Sequence, residues 1–314
     1  MTHKDFKALV WNWYTENRRD LPWRPPAPRK KTHPDGYTFF SSSSQTEAWA
    51  QEHAYWIFVS EIMLQQTQVD RVIPFFETFI AELPDWESLA KCPQPKLLKL
   101  WKGLGYNRRA LNTKKAAHYI LEQHNGKLPQ DLEALQKIPN VGVYTSAAIM
   151  NFVHGIPTPL IETNVRTVFF HHFYTKEASV DDKVLIKKVL VTLDLSSSPR
   201  YPGHPLGSLP ESSPREWMYA LMDYGSHLRR EGVKITSKSK HYTKQKSFKG
   251  SKREIRGKIL EILLHDPILS LEILEQKITD DLKDNENNPQ SVIEDMVKEG
   301  FLEKKGDSIF IRSS

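Results

Sequence analysis

Leu135–Thr145 reads LQKIPNVGVYT. Its apolar spacing predicts a helix ending at Ile138, a tight Pro139-Asn140-Val141-Gly142 turn, and a second helix opening at Val143. Gly142 is the residue expected to free the backbone for the sharp turn. The first amides of the second helix lack intrahelical partners and sit at the positive end of the helix dipole, which suits them to an anion. Two helices joined in this way form a helix-hairpin-helix, a device that grips phosphates without reading sequence. A plain αα-corner carries the same local signature.

The rest of the chain fits a helical frame around this hairpin. Helical periodicity recurs over Phe6–Tyr14, Phe58–Phe79, Pro95–Trp101, Arg109–His124, Leu132–Ile138, Val143–Val153, Asn164–Phe173, Asp181–Leu195 and Trp217–Leu228, so the body is expected to be mostly α. Residues 25–48 (with a basic run and four consecutive serines) read as an irregular insertion, and 196–214 as a second loop. A Lys/Ser-rich stretch over 234–252 reads as a basic linker. Beyond it, helices are expected at Glu254–Leu264, Leu269–Ile278 and Pro289–Glu299. Phe301–Arg312 is expected to form a hairpin turning at Lys305-Gly306-Asp307. Three helices followed by a hairpin resemble a winged helix, a module that binds DNA in some proteins and contacts protein in others.

At 314 residues the chain can bury at least one full core, and a net charge of +6 favours an anionic partner. No run reaches the apolar length of a membrane span, and the N-terminus reads as an amphipathic helix rather than a secretory signal. Cys92 is the single cysteine, which excludes an internal disulfide, a thiolate zinc site and a cysteine-ligated iron–sulfur cluster. No metal or other cofactor is expected, and a reducing cytoplasmic location fits.

Three further segments carry chemistry. Val59–Val69 reads VSEIMLQQTQV and places an acid, Glu61, ahead of long amides at Gln65, Gln66 and Gln68 that could contact base edges. On a continuous helix Glu61, Leu64 and Gln65 would share a face. The acid is a candidate for protonating a nucleobase, or a solvated helix carboxylate. Leu100–Ala110, LWKGLGYNRRA, offers Leu104 and Tyr106 at a glycine-flanked tip suited to wedging between bases, followed by Arg108 and Arg109 for phosphates. An ordinary turn with both side chains packed inward is the alternative. Ile161–Val165, IETNV, sets Glu162 at a helix start, where a carboxylate caps the helix or faces a cleft.

Taken together, SEIMLQQTQV, GLGYNRR, IPNVGVYT, IETNV, Leu221–Ser226 (LMDYGS) and Leu21–Arg24 (LPWR) resemble the motifs of MutY-type adenine DNA glycosylases, within the helix-hairpin-helix (HhH-GPD) superfamily, over about residues 5–230. The resemblance implies a two-lobed, mostly α helix-hairpin-helix glycosylase domain over 1–233, the basic linker, and a small winged-helix-like α/β domain over 253–314. It implies a monofunctional base-excision enzyme that removes adenine mispaired with 8-oxoguanine or guanine and leaves an abasic site. Its partner would be double-stranded DNA with a mismatched or damaged pair, met by a monomer in a bacterial-type, nucleoid-associated setting. Glu61 would protonate adenine and later position water. Glu162 would stabilise the cationic sugar, with Asn164 in support. Tyr144 would stand where bifunctional relatives carry a Schiff-base lysine. Trp23 and Asp223 would line the adenine pocket, Gln65, Gln66, Leu104 and Tyr106 would engage the opposite base, and Arg24, Arg108, Val141 and Gly142 would contact the DNA. A thymine/uracil mismatch glycosylase and a non-catalytic lesion-binding module remain open.

Three departures from that family are visible. Its aspartate is Glu162 here, which moves the charge by roughly one C–C bond, and errors near 1 Å can cost about 10²-fold in rate. The cysteines that follow LMDYGS in the family are missing. A winged-helix-like unit stands where the family carries its Nudix-like domain, with Gly36–Gln45 (GYTFFSSSSQ) of the insertion as a candidate replacement reader.

Overall fold

The computed structural model describes residues 1–25, 43–193, 213–240, 247–282 and 285–313. Most of the expected insertion, residues 36–42 of its candidate reader and residues 241–246 of the expected linker lie outside the described residues. The chain is mostly α with a small three-stranded sheet near its C-terminus. It divides into two compact units that do not follow chain order: Met1–Ile62 with Lys127–Thr243, and Met63–Gly126 with Lys244–Ser314.

The first unit holds α1 (His3–Asn17), α2 (Ser43–Glu52), most of α3 (Ala54–Met63), α8 (Leu132–Lys137), α9 (Val143–Phe152), α10 (Thr163–Phe173), α11 (Asp182–Leu193) and α12 (Pro214–Arg230). A Thr2/Asp5 capping box starts α1, which buries Phe6, Val10, Trp11 and Tyr14. Phe6 meets Phe169, Phe173 and Trp217 at ring distances of 5.4, 4.9 and 6.1 Å, tying α1 to α10 and α12. Helices α10 and α12 approach closely at Gly225, where an added Cβ would fall 2.3 Å from the Asn164 carbonyl oxygen. That glycine is the small residue in LMDYGS, and it sets the spacing beneath the IETNV segment.

The second unit comprises α4 (Val69–Glu82), α5 (Trp86–Lys91), α6 (Gln94–Trp101), α7 (Arg108–His124), α13 (Lys252–His265), β1 (Ile268–Ser270), α14 (Leu271–Asp281), α15 (Pro289–Lys298), β2 (Leu302–Lys305) and β3 (Ser308–Ile311). The sheet order is β1-β3-β2, all antiparallel, with Ile268 opposite Phe310 and Leu302 opposite Ile311. Ile255, Ile259, Leu263, Leu274, Val292, Ile293, Met296 and Ile309 fill its winged-helix-like core.

Three expectations are corrected. The Phe58–Phe79 run is two helices, because α3 stops at Met63 and Gln66 takes a left-handed φ of 60° before α4. Leu64 and Gln65 therefore do not extend the Glu61 helix face. Leu269 begins no helix: it lies in β1, and Ser270 caps α14 by accepting from Ile273 N. A three-residue strand is too short to print a periodicity. The expected insertion ends in helix, since α2 already starts at Ser43.

Candidate active site

The hairpin forms where the sequence places it. Asp131 caps α8 by accepting from Ala134 N at 2.8 Å, and α9 opens at Val143 with its first helical bond from Ser146 N to Gly142 O. The left-handed residue of the turn is Asn140 (φ 68°), not Gly142, whose φ of −97° and ψ of −171° suit any residue. What distinguishes Gly142 is space: a Cβ there would meet nothing within 4 Å. No side chain caps α9, and Val143 stands exposed beside the turn while Val141 is buried. The glycine thus leaves the helix N-terminus open to a close external approach.

Behind that turn, α9 carries Tyr144 toward Glu61 on α3, and the phenol donates to Glu61 Oε2 at 3.3 Å. Glu61 is 5% exposed. Burial pushes its carboxyl from 4.5 to about 7; the Tyr144 hydrogen bond and Arg24 oppose the rise, and Glu162 adds to it. Tyr144 itself is held well above the usual phenol range, by burial first and then by the two carboxylates. The group therefore stays a neutral donor.

Glu162 is the N-cap of α10. Its carboxylate accepts from Val165 N (2.8 Å), Asn164 N (2.9 Å) and the Asn164 side-chain amide (3.2 Å). Capping and a charge near the site are thus one arrangement rather than alternatives. Burial raises its carboxyl above the ordinary value, while the two backbone amides, Arg166 and Arg229 act against the rise. Arg229, absent from the sequence reading, also reaches Asn164 Oδ1 at 3.5 Å.

Asp223 and Arg24 are both buried and bound to each other. Arg24 donates to Oδ2 at 2.9 Å and Oδ1 at 3.0 Å, while Arg19 adds its backbone N–H (3.0 Å) and Nε (2.7 Å). Burial alone would raise the Asp223 carboxyl, but Arg24 and then Arg19 hold it below its usual value. Both oxygens are occupied within the protein, so Asp223 anchors Arg24 instead of presenting itself to a base. Arg24 also lies 4.1 Å from the Tyr219 ring centroid. Trp23 is buried in the same unit.

The remaining expected residues belong to the other unit. Gln65 is half-buried and Gln66 exposed in the turn after α3. In the GLGY loop Tyr106 is 38% exposed but Leu104 only 5%, so the loop presents one side chain rather than two. Gly103, Gly105 and Tyr106 all adopt positive φ, which turns the chain sharply enough to point Leu104 inward. Arg109, expected at a phosphate, is buried instead. It donates to the carbonyls of Met63 (2.8 Å), Gln65 (2.5 Å), Leu104 (3.2 Å) and Gly105 (3.0 Å) and to Thr67 Oγ1 (3.2 Å). It thereby ties the QQTQ turn to the GLGY loop. Arg108 is exposed, with Glu299 3.7 Å away.

Residues 59–190 match the family model described as HhH-GPD superfamily base excision DNA repair protein. That stretch is similar to an HhH-GPD domain. The resemblance to MutY-type proteins also holds across relatives. An adenine DNA glycosylase of Buchnera aphidicola (subsp. Schizaphis graminum) is 32% identical over 61% of this chain and 50% of its own length. That of Mycolicibacterium smegmatis is 29% identical over 80% and 78%, and the Homo sapiens protein 33% over 52% and 27%. The chain spans about half the length of the first of these relatives. A solved thermostable thymine-DNA glycosylase superposes at a TM-score of 0.49 with 21% identity, covering 71% of this chain and 86% of that one.

A cysteine-ligated iron–sulfur cluster, usual after LMDYGS in the family that the sequence resembles, does not fit these residues. A cluster of that kind needs four thiolates, and the stretch after LMDYGS supplies no cysteine. That stretch is held by backbone pairing instead: Val180 N donates to Lys238 O at 2.8 Å and Lys240 N to Val180 O at 3.2 Å. Lys238 Nζ adds bonds to the Tyr174 and Thr175 carbonyls. Cys92 is buried elsewhere, in the second unit, and among the described residues no three His, Cys, Asp or Glu cluster as metal ligands. Among them, too, no helix is long and apolar enough to cross a membrane.

Proposed function

We propose that this protein is a monofunctional DNA N-glycosylase that releases adenine mispaired with 8-oxoguanine or guanine in double-stranded DNA, acting as a monomer and leaving an abasic site. The observation that carries the reading is Glu61: a buried carboxyl, donated to by Tyr144, with its proton balanced near neutrality at about 7. Adenine leaves poorly as an anion, so a ring nitrogen must be protonated as the C–N bond breaks. A positioned acid near the working pH typically contributes about 10²–10⁴-fold.

In this reading Glu61 gives its proton to adenine N7 and the C1′–N9 electron pair goes to N9, so neutral adenine leaves. The sugar becomes an oxocarbenium ion, which the Glu162 carboxylate stabilises electrostatically, much as the second carboxylate does in glycoside hydrolysis. Water then adds to C1′ and its proton returns to Glu61, restoring the acid. With Tyr144 at the hairpin position no amine is present there to form a Schiff base, which supports release without strand cutting. The open α9 N-terminus at Gly142 would take a backbone phosphate. Tyr106, Gln65 and Gln66 would meet the opposite base once the target nucleotide has left the stack, a step that costs a few kcal/mol.

A panel of duplexes carrying A opposite 8-oxoguanine, G, C or T, and T or U opposite G, scored for free base, tests this reading. Adenine release opposite 8-oxoguanine or G, with strands cut only after alkali, is the expected result. Release of thymine or uracil instead, or binding without release, would overturn it.

A further inference from the structure

Residues 253–314 carry nine Lys/Arg against fourteen Asp/Glu, a net charge of −5, whereas residues 1–252 carry +11. A surface that follows DNA phosphates has the opposite balance. Three basic side chains of α13 are also met by acids of the same unit: Lys252 by Asp295 (3.3 Å), Arg256 by Glu299 (2.6 Å), and Lys258 by Glu261 and Asp281 (3.2 and 2.6 Å).

This acidic module is fastened to the segment that contains the GLGY loop. The Gln94 amide donates to the carbonyls of Gly300 and Phe301, both at 3.0 Å, and Lys102 pairs with Glu261 at 3.1 Å. At the loop itself, Arg253 Nη1 donates to the Tyr106 phenol oxygen at 2.8 Å, and the guanidinium carbon lies 5.4 Å from the ring centroid. Arg253 is in turn held by its Nη2 bond to Ser247 O at 3.1 Å. Tyr106 adopts φ 48°, a conformation that a bulky residue keeps only when its surroundings enforce it.

We propose that Arg253 is a positioning residue. It fixes the Tyr106 ring in the orientation that engages the base opposite the target, so that the acidic C-terminal module sets opposite-base discrimination through the loop, without touching DNA. The proposal rests on the glycosylase reading above.

The test uses the full chain with Arg253→Met, Arg253→Lys, Tyr106→Phe and the Arg253→Met/Tyr106→Phe double variant. Single-turnover adenine release is measured opposite 8-oxoguanine, opposite G and opposite a stable abasic analogue. A 2-aminopurine beside the opposite base reports unstacking independently of bond cleavage. Arg253→Met is expected to slow release about three- to tenfold when a base stands opposite, the range of one partly exposed hydrogen bond. It should leave the abasic-opposed duplex unchanged, and Arg253→Lys should recover part of the loss. Tyr106→Phe should match it, and the double variant should be no worse than the more impaired single one, since both remove one interaction. Equal slowing on the abasic-opposed duplex, multiplying effects in the double variant, or no effect of Arg253→Met would overturn the proposal. If the wild-type chain releases no adenine from any duplex, the glycosylase reading fails by itself. The 2-aminopurine signal then still decides the positioning role: loss of unstacking in Arg253→Met supports it and an unchanged signal overturns it.

Discussion

Replacing Glu61 by Gln should make the protein more stable, by an amount that grows as pH rises from about 4.5 to about 7 and then levels off. The carboxyl titrates near 4.5 when unfolded and at about 7 when folded, because burial disfavours its charge. Well below pH 4.5 it is protonated in both states and contributes no pH dependence. Between the two values the folded chain keeps a proton that the unfolded chain releases, so stability falls as pH rises. The resulting penalty is about 1 kcal/mol at pH 5 and about 3 kcal/mol at pH 8. Gln keeps the shape and an oxygen that can accept from Tyr144, but it cannot ionise. The gain of Glu61→Gln over wild type should therefore widen by about 2 kcal/mol between pH 5 and pH 8. Urea denaturation of both proteins at the two pH values reads this directly. A difference that stays constant with pH, or a Gln variant that is less stable at pH 8, would refute a carboxyl raised by burial.

Other outcomes follow from single side chains. Tyr144→Phe removes a donor that favours ionised Glu61, so the carboxyl should rise further and the alkaline limb of the pH–rate profile should move to higher pH. Gly142→Ala should leave stability unchanged, because the backbone there suits alanine and the methyl meets nothing. It should weaken DNA binding and lower the salt-dependence slope by about 0.9 for each phosphate that the helix end no longer holds. Gly225→Ala should do the reverse of a neutral change: its methyl would press on the Asn164 backbone, destabilising the chain by about 1–3 kcal/mol and disturbing the Glu162 cap, visible together in melting and base release. Glu162→Asp should preserve the α10 cap and hence stability, since Asp is an equally good N-cap, so any change in rate reports where the charge must sit.

Local signals made the elements of the candidate site readable. The hairpin announces itself through eleven consecutive residues, and Glu61, Tyr144 and Glu162 each sit in a short segment whose helix start or end is coded nearby. What the sequence hid were interactions between distant residues. Asp223 meets Arg24 from 199 positions away, and Tyr106 meets Arg253 from 147. Arg109 looked like a phosphate ligand because its partners are backbone carbonyls, which have no residue-type signature. The same carbonyl capture explains why the VSEIMLQQTQV periodicity misled: the chain leaves the helix at Met63, where Arg109 takes the carbonyl. The left-handed turn residue is Asn140 rather than Gly142, and the glycine instead leaves a clear space at the helix start.

The most direct test of the account is the single-turnover rate of adenine release, from a duplex with A opposite 8-oxoguanine, measured across pH for wild type and Glu61→Gln. The account expects wild-type release to decline as pH rises through about 7, where Glu61 loses its proton, and expects the Gln variant to bind the duplex and release nothing. A rate flat through neutrality, or adenine release retained in the Gln variant, would contradict it.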